Sequence, residues 1–243
     1  MKILIGLPAY NEEGAIRNVL RGIARFRDMS KYEIKVLVVD DGSTDQTKNI
    51  LNRFDEQNGY ITVITHEQNK GLGEAINTIL SYALVELDND DILVTMDADN
   101  THSPLLIESM IEHLDSHNLD LVVASRFTQG GCEIGLRALR KFFSRGAMLF
   151  FKLFFPIKNL NDYSSGFRAY RVSIIREAQS KWGRLVTTSG FDCMAEIAAK
   201  FSRMKIRAGE IPLILRYDFK EGSSKMNVAR TVKGYFSLLA KVR

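Results

Sequence analysis

The sequence predicts an α/β fold: a doubly wound, mostly parallel sheet with flanking helices, followed by an amphipathic, basic helical region. Three observations predict it. Short runs apolar at consecutive positions alternate with longer stretches of helical periodicity through the first half of the chain. Carboxylates and glycines cluster just after those runs, where open parallel sheets bind their ligands. The second half then turns basic and rich in phenylalanine.

The runs Ile3–Leu7, Ile34–Val39, Ile61–Thr65, Ile92–Met96 and Leu119–Ser125 suit strands buried on both faces by helices. After the first of them, Ile16, Val19, Leu20 and Ile23 follow the i, i+3, i+4, i+7 spacing of one helix face. Strand, helix, strand repeated four times is the pattern of a doubly wound sheet. Ser43 with Gln46 fits a capping box, and Ser103-Pro104 places a cap before a first-turn proline. Residues 137–158 carry six basic residues, no acidic ones and six of the chain's 14 phenylalanines. Helical stretches near 171–179 and 190–202, a strand over Lys205–Leu215 and a basic helical tail complete the reading.

Composition bounds the function. The 243 residues include 33 Lys plus Arg against 29 Asp plus Glu, a formal charge of +4; 45% are hydrophobic and 26% charged. That apolar content buries a full core and excludes a disordered chain. With 17 Gly and two Cys, a collagen-like or disulfide-stapled chain is excluded too. Cys132 and Cys193 have no metal-ligand spacing and read as reduced thiols of a cytoplasmic protein. The N-terminal apolar run reaches Pro8 and Glu12 too soon for a signal peptide, and no uncharged run approaches the ~18–20 residues of a spanning helix. The four histidines make no zinc spacing; His113 and His117 share a helix face without a third ligand.

Chemistry is sought at the strand ends. Pro8 closes the first strand, and Tyr10 with Glu12 offers a ring and a carboxylate to a base and a ribose. Asp40-Asp41-Gly42-Ser43 follows the second strand; the turn explains Gly42 and Ser43, while one of two consecutive carboxylates should face the crevice. Asp97 and Asp99, at i and i+2 of an extended segment, point the same way and repel unless a cation lies between them. Mg²⁺ or Mn²⁺ prefers such oxygen ligands and bridges them to phosphates. Arg126, at the end of the fifth run, presents a planar donor fork suited to phosphate.

Taken together, Pro8-Ala9-Tyr10-Asn11-Glu12, Asp40-Asp41-Gly42-Ser43-Thr44-Asp45, Asn69-Lys70-Gly71-Leu72-Gly73, Met96-Asp97-Ala98-Asp99 and Ser125-Arg126-Phe127 resemble the family-2 glycosyltransferases of the GT-A fold. Within them the chain is most similar to the polyprenyl-phosphate sugar transferases, the dolichol-phosphate mannose synthase group. Ser144-Arg145-Gly146-Ala147, Asp162, Ser165-Gly166-Phe167-Arg168 and Gly222-Ser223-Ser224-Lys225 extend the resemblance over nearly the whole chain.

The resemblance implies metal-dependent transfer of a sugar, with inversion, from GDP-mannose or a UDP-hexose to a polyprenyl or dolichyl phosphate. It implies a donor-binding half, 1–130, and an acceptor-binding, membrane-interface half, 131–243, in one domain. Pro8, Tyr10, Glu12, Asp40, Asp41, Lys70, Gly71 and Ala98 then belong to nucleotide-sugar binding, with Asp97 and Asp99 holding the metal on the diphosphate. Arg126, Arg140, Ser144 and Lys220 contact phosphate, and Asp162 with Arg126 serves catalysis. Two positions depart from the group: Thr101 stands where many members carry Gln, and Phe219 where many carry Arg, so the phosphate role passes to the adjacent Lys220.

Basic residues beside bulky aromatics over 137–158 agree with a helix lying at a membrane interface, and the expected location is the cytoplasmic face, peripherally attached. No nucleic-acid partner is expected. Of the competing classes, a Rossmann dehydrogenase lacks its glycine fingerprint. An aspartyl-phosphate phosphatase would place Asp97 after the first strand of its domain rather than the fourth. A non-catalytic membrane-docking protein on a degenerate transferase fold is the remaining alternative.

Overall fold

In a computed structural model of the chain, which describes residues 1–135, 138–219 and 228–242 (side chains of 138–140 and 228–230 excepted), the predicted alternation is present. It runs β1 (Lys2–Ala9), α1 (Ile16–Met29), β2 (Glu33–Asp40), α2 (Thr47–Gln57), β3 (Ile61–Thr65), α3 (Leu72–Glu86), β4 (Ile92–Thr95), α4 (Leu106–Ser116) and β5 (Leu121–Ser125). There follow β6 (Cys132–Ile134), α5 (Ala138–Phe154), β7 (Arg168–Arg171), α6 (Val172–Trp182), α7 (Cys193–Phe201), β8 (Ala208–Pro212), β9 (Ile214–Arg216), a 3-10 turn (Tyr217–Phe219) and α8 (Val228–Lys241).

Seven strands form one sheet in the order β3-β2-β1-β4-β7-β5-β8, and β6 pairs with β9 in a small parallel sheet. All neighbours in the large sheet are parallel except β7, which runs antiparallel between β4 and β5. Strand order reverses between β1 and β4. This is the position at which helices leave to opposite sides and a crevice opens at the carboxyl ends of the strands.

The strands are apolar on both sides because both faces are covered. Ile3, Ile5 and Leu7 of β1 pack with α1, α2 and α4 through Leu20, Leu51 and Ile111. Leu4, Leu93 and Leu121 face the opposite layer with Ile79, Ile175 and Ile197 of α3, α6 and α7. Gly6 is required here: a Cβ on it would run into the Ile79 side chain.

Several boundaries differ from the sequence reading. Pro8 does not end the first strand, which continues to Ala9 opposite Asp40. Ser43 does not cap α2: its Oγ accepts the Asn11 N–H at 2.9 Å, and α2 begins at Thr47 without a side-chain cap. At α4 the backbone caps instead, with the Ser103 and Pro104 carbonyls accepting the Leu106 and Ile107 N–H groups. The expected strand Lys205–Leu215 divides at Leu213 into β8 and β9, which lie in different sheets.

Helix α7 carries a buried charged strut. Glu196, fully buried, accepts the Thr187 N–H (2.9 Å) and hydroxyl (2.8 Å) and the Thr188 N–H (3.1 Å), and Lys200 pairs with it at 2.9 Å. The Lys200 ammonium also donates to the Arg184 and Leu185 carbonyls. This strut fixes the 184–189 loop, whose Thr188 and Ser189 carbonyls press on Gly73 and Gly71 so closely that neither position admits a Cβ. Burial opposes the Glu196 charge, but the Thr187 N–H and Lys200 outweigh it and lower its pKa.

Lys200→Met strands that carboxylate and is expected to cost about 3–5 kcal/mol in a denaturant titration; a loss below about 1 kcal/mol would show that Glu196 does not depend on it. A folded pKa below the unfolded value of about 4.3 means that the stabilisation is present above that pH and lost below it. Wild-type stability should therefore fall on acidification through pH ~4, and by less in Lys200→Met.

Candidate active site

The loops after β1 and β2 are stitched to each other. Asn11, at φ 50°, accepts the Thr44 N–H at 2.8 Å while its own N–H reaches Ser43. The Glu12 N–H donates to the Thr47 hydroxyl at 2.8 Å, and the Gln46 N–H to Glu13. These bonds fix Tyr10 and Glu12 at the rim of a cavity of about 530 Å³ that also receives Pro8.

The two carboxylates after β2 have separate tasks. Asp41 lines the cavity, yet its oxygens accept the Lys70 N–H (3.0 Å), the Gly71 N–H (2.8 Å) and His66 Nδ1 (2.7 Å), so it shapes the 66–71 loop. Gly42, at φ 70°, lets that loop pass; a Cβ would sit 2.5 Å from the Gln68 carbonyl carbon. Asp40 is fully buried, with Oδ1 accepting the Ser43 N–H at 3.1 Å; its Oδ2 has no hydrogen-bond partner among the described residues. Lys70 is exposed and does not line the cavity, whereas Gly71 does.

After β4, Asp97, Ala98 and Asp99 line the same cavity across the β1/β4 crevice. Asp97 lies against Gly166, where a Cβ would meet its Oδ1 at 2.9 Å. Asp99 is held from within its own loop: its Oδ1 accepts the Thr101 N–H (3.2 Å) and hydroxyl (2.6 Å).

Arg126, after β5, lines the cavity with its guanidinium held from behind. Nε and Nη2 donate to the two Asp162 oxygens at 2.7 Å each, Nη2 also to Ser164 at 2.7 Å, and Nη1 lies 3.4 Å from Glu133. Asp162 is fully buried and does not reach the cavity; its Oδ1 also accepts the Ser164 and Ser165 N–H groups, and Glu210 anchors its backbone. Burial opposes both charges, but the Arg126–Asp162 attraction outweighs it, raising the arginine's pKa and holding the Asp162 carboxyl below the usual carboxylate range.

On the far wall stand Phe143, Ser144 and Ala147 of α5 and Thr231, Val232 and Tyr235 of α8. The Ser144 Oγ is buried with no hydrogen-bond partner among the described residues. Arg140 lies in α5, but its side chain, like all of Lys220, falls outside the described residues. Asp192, the N-cap of α7, lines the cavity, whereas Glu196 within the helix does not. Burial raises the Asp192 pKa and Glu196 adds to it.

Ten of the sequence-predicted site residues therefore meet in one cavity. The sequence reading assigned no role to His102, Ser164 or Tyr235. His102 is buried, stacks on Phe167 at 5.1 Å and borders the cavity; its place three residues after Asp99 was the available signal. Tyr235 carries no signal beyond helical apolar spacing. Among the described lining residues, five carboxylates (Glu12, Asp41, Asp97, Asp99, Asp192) face a single arginine.

Comparison with known proteins agrees with this architecture. The chain is 29% identical over 227 residues to the undecaprenyl-phosphate mannosyltransferase of Micrococcus luteus, covering 93% of this chain and 88% of that one. It is 28% identical over 249 residues to the UDP-N-acetylglucosamine–dolichyl-phosphate N-acetylglucosaminyltransferase of Methanococcus voltae, covering 98% and 94%. Its fold matches the Mycobacterium tuberculosis glucosyl-3-phosphoglycerate synthase, solved with Mn²⁺, UDP-glucose and phosphoglyceric acid, at a TM-score of 0.69 and 20% identity over 98% of this chain and 80% of that one. The sequence profile of glycosyl transferase family 2 matches residues 4–178. On that match, rather than a dehydrogenase or an aspartyl-phosphate phosphatase, the chain belongs to glycosyl transferase family 2.

Proposed function

We propose that the chain transfers a hexose, with inversion, from GDP-mannose or a UDP-hexose to a polyprenyl or dolichyl phosphate, using Mg²⁺ or Mn²⁺ at Asp97 and Asp99. One observation carries this reading: the acidity of the cavity. Its one described arginine is already paired with Asp162 and Glu133. A nucleoside diphosphate entering beside five carboxylates is repelled unless a divalent cation arrives with it.

The residues fit such a cation. Asp97 and Asp99 supply hard oxygen donors, and Gly166 leaves room against the Asp97 carboxylate. Among the described residues no third His, Cys, Asp or Glu joins them in a cluster. When bound, the cation neutralises the charge developing on the leaving nucleoside diphosphate.

The chain's own residues do the positioning. Tyr10 and Glu12 provide a ring and an acceptor for base and ribose, whereas Asp40, predicted to join them, is buried outside the cavity lining and supports the turn through the Ser43 N–H. Asp41 keeps Gly71 in place, and Asp162, which grips Arg126 from behind, would act as a positioning residue for a fork that meets phosphate. A phosphate monoester has its second pKa near ~6 and is largely dianionic at neutral pH, so the acceptor needs no strong general base. Ser144 offers that phosphate a hydroxyl, with Arg140 and Lys220 as its cationic partners.

The names of the two relatives support a polyprenyl-type phosphate acceptor. A membrane surface is the matching partner. Phe151 of α5 and Phe155 just past its end pack into the core, while Phe142, Leu149 and Leu153 of α5 are 71%, 64% and 73% exposed beside Arg145 and Lys152. Among the described residues no helix is long and apolar enough to cross a membrane, so this face would lie in the interface.

Asp97→Ala or Asp99→Ala is expected to lower transfer to a short polyprenyl phosphate by about 100-fold or more, matching EDTA treatment of the wild type. Transfer that survives both substitutions and EDTA contradicts the metal role. Phe142→Asp with Leu153→Asp should release the protein from phosphatidylglycerol vesicles in a sedimentation assay, while transfer to a soluble short-chain acceptor stays within about two-fold. Equal vesicle binding by the variant would contradict the interface.

A further inference from the structure

Asp99 is held by a contact that the transfer reaction does not itself require. Both Asp99 and Thr101 are buried, at 8% and 3% exposure, and both line the cavity. Asn100 between them adopts φ 62°, a left-handed conformation that asparagine tolerates. It folds the chain so that the Thr101 N–H and hydroxyl both donate to Asp99 Oδ1, at 3.2 and 2.6 Å. Thr101 is itself anchored, because its carbonyl accepts the Arg216 N–H of β9 at 3.4 Å.

We propose that Thr101 is the positioning residue of the cation site. It fixes the plane of the Asp99 carboxylate through Oδ1, so that Asp99 would present a single orientation to the cation of the diphosphate. The hydroxyl acts through the carboxylate and does not touch the ion. Groups that orient a metal ligand in this way change metal affinity when removed even though they never coordinate. The inference rests on the metal-dependent reading above.

The test is Mn²⁺ binding followed by electron paramagnetic resonance in the presence of UDP, and separately GDP, for the wild type, Thr101→Val and Thr101→Ser. Valine keeps the shape and the backbone N–H and removes only the hydroxyl; serine restores it. Thr101→Val is expected to weaken Mn²⁺ by about 10–100-fold, with Thr101→Ser close to wild type. In the transfer assay the Mn²⁺ concentration for half-activation should rise similarly, while kcat at saturating Mn²⁺ is largely retained. Wild-type affinity in Thr101→Val, or equal weakening in Thr101→Ser, overturns the inference and leaves the metal reading intact. Absence of nucleotide-dependent Mn²⁺ binding in the wild type overturns both. Should Thr101→Val fold poorly by circular dichroism, the Thr101→Ser and Thr101→Ala pair gives the same contrast.

Discussion

The site depends on one constraint: acidic side chains gathered where the strand order reverses, at the mouth of a sheet buried on both faces. The β1/β4 crevice brings Pro8, Tyr10 and Glu12 into one cavity with Asp97 and Asp99, on loops shaped by the left-handed Asn11 and Asn100. Charge then governs what enters. Among the described lining residues, five carboxylates stand against one arginine, an arrangement in which a cation gains more than it would in bulk water. On the proposed function, the diphosphate would enter together with its cation.

The Arg126–Asp162 pair adds a second fixed charge to the same cavity. A guanidinium gripped along its Nε/Nη2 edge at 2.7 Å is a fixed charge rather than a mobile counter-ion, and on the proposed function little reorganisation would be needed as phosphate approached it. Glu210 holds the Asn161-Asp162 backbone, and through it Asp162, so the register of β8 reaches the cavity through two carboxylates in series. A second strut, Glu196–Lys200, supports the loop that carries Ser189, Gly190 and Asp192 into the lining. Both struts keep loops rigid with buried charge, which adds geometric definition more than net stability.

What could be read from the sequence follows from how local each signal is. The parallel strands were legible because burial on both faces leaves uninterrupted apolar runs such as Val36–Val39. The carboxyl-end residues were legible because chain order alone puts them at the crevice. Strand β7 went unread. Its sequence, Arg-Ala-Tyr-Arg, looks polar, yet Arg168 is fully buried with its guanidinium satisfied by the Ser165, Tyr163 and Met194 carbonyls. Nothing nearby in the sequence announces those partners. The Ser43 cap failed for a similar reason, since Asn11, 32 residues away, takes the hydroxyl. Periodicity likewise could not separate Asp40 from Asp41, or tell that Asp162 lies behind Arg126; these follow from long-range hydrogen bonds.

The most direct test of the central claim is a thermal-shift titration with GDP-mannose, UDP-glucose and UDP-N-acetylglucosamine, each with Mn²⁺ and with EDTA. At about 100 times Kd, ligand binding adds about 2.7 kcal/mol, which for a chain of this size raises Tm by about 5–10 °C. The account predicts such a shift for sugars of one nucleobase, in Mn²⁺ only, and none in Asp97→Ala. No shift with any nucleotide sugar, or an equal shift in EDTA, would contradict it.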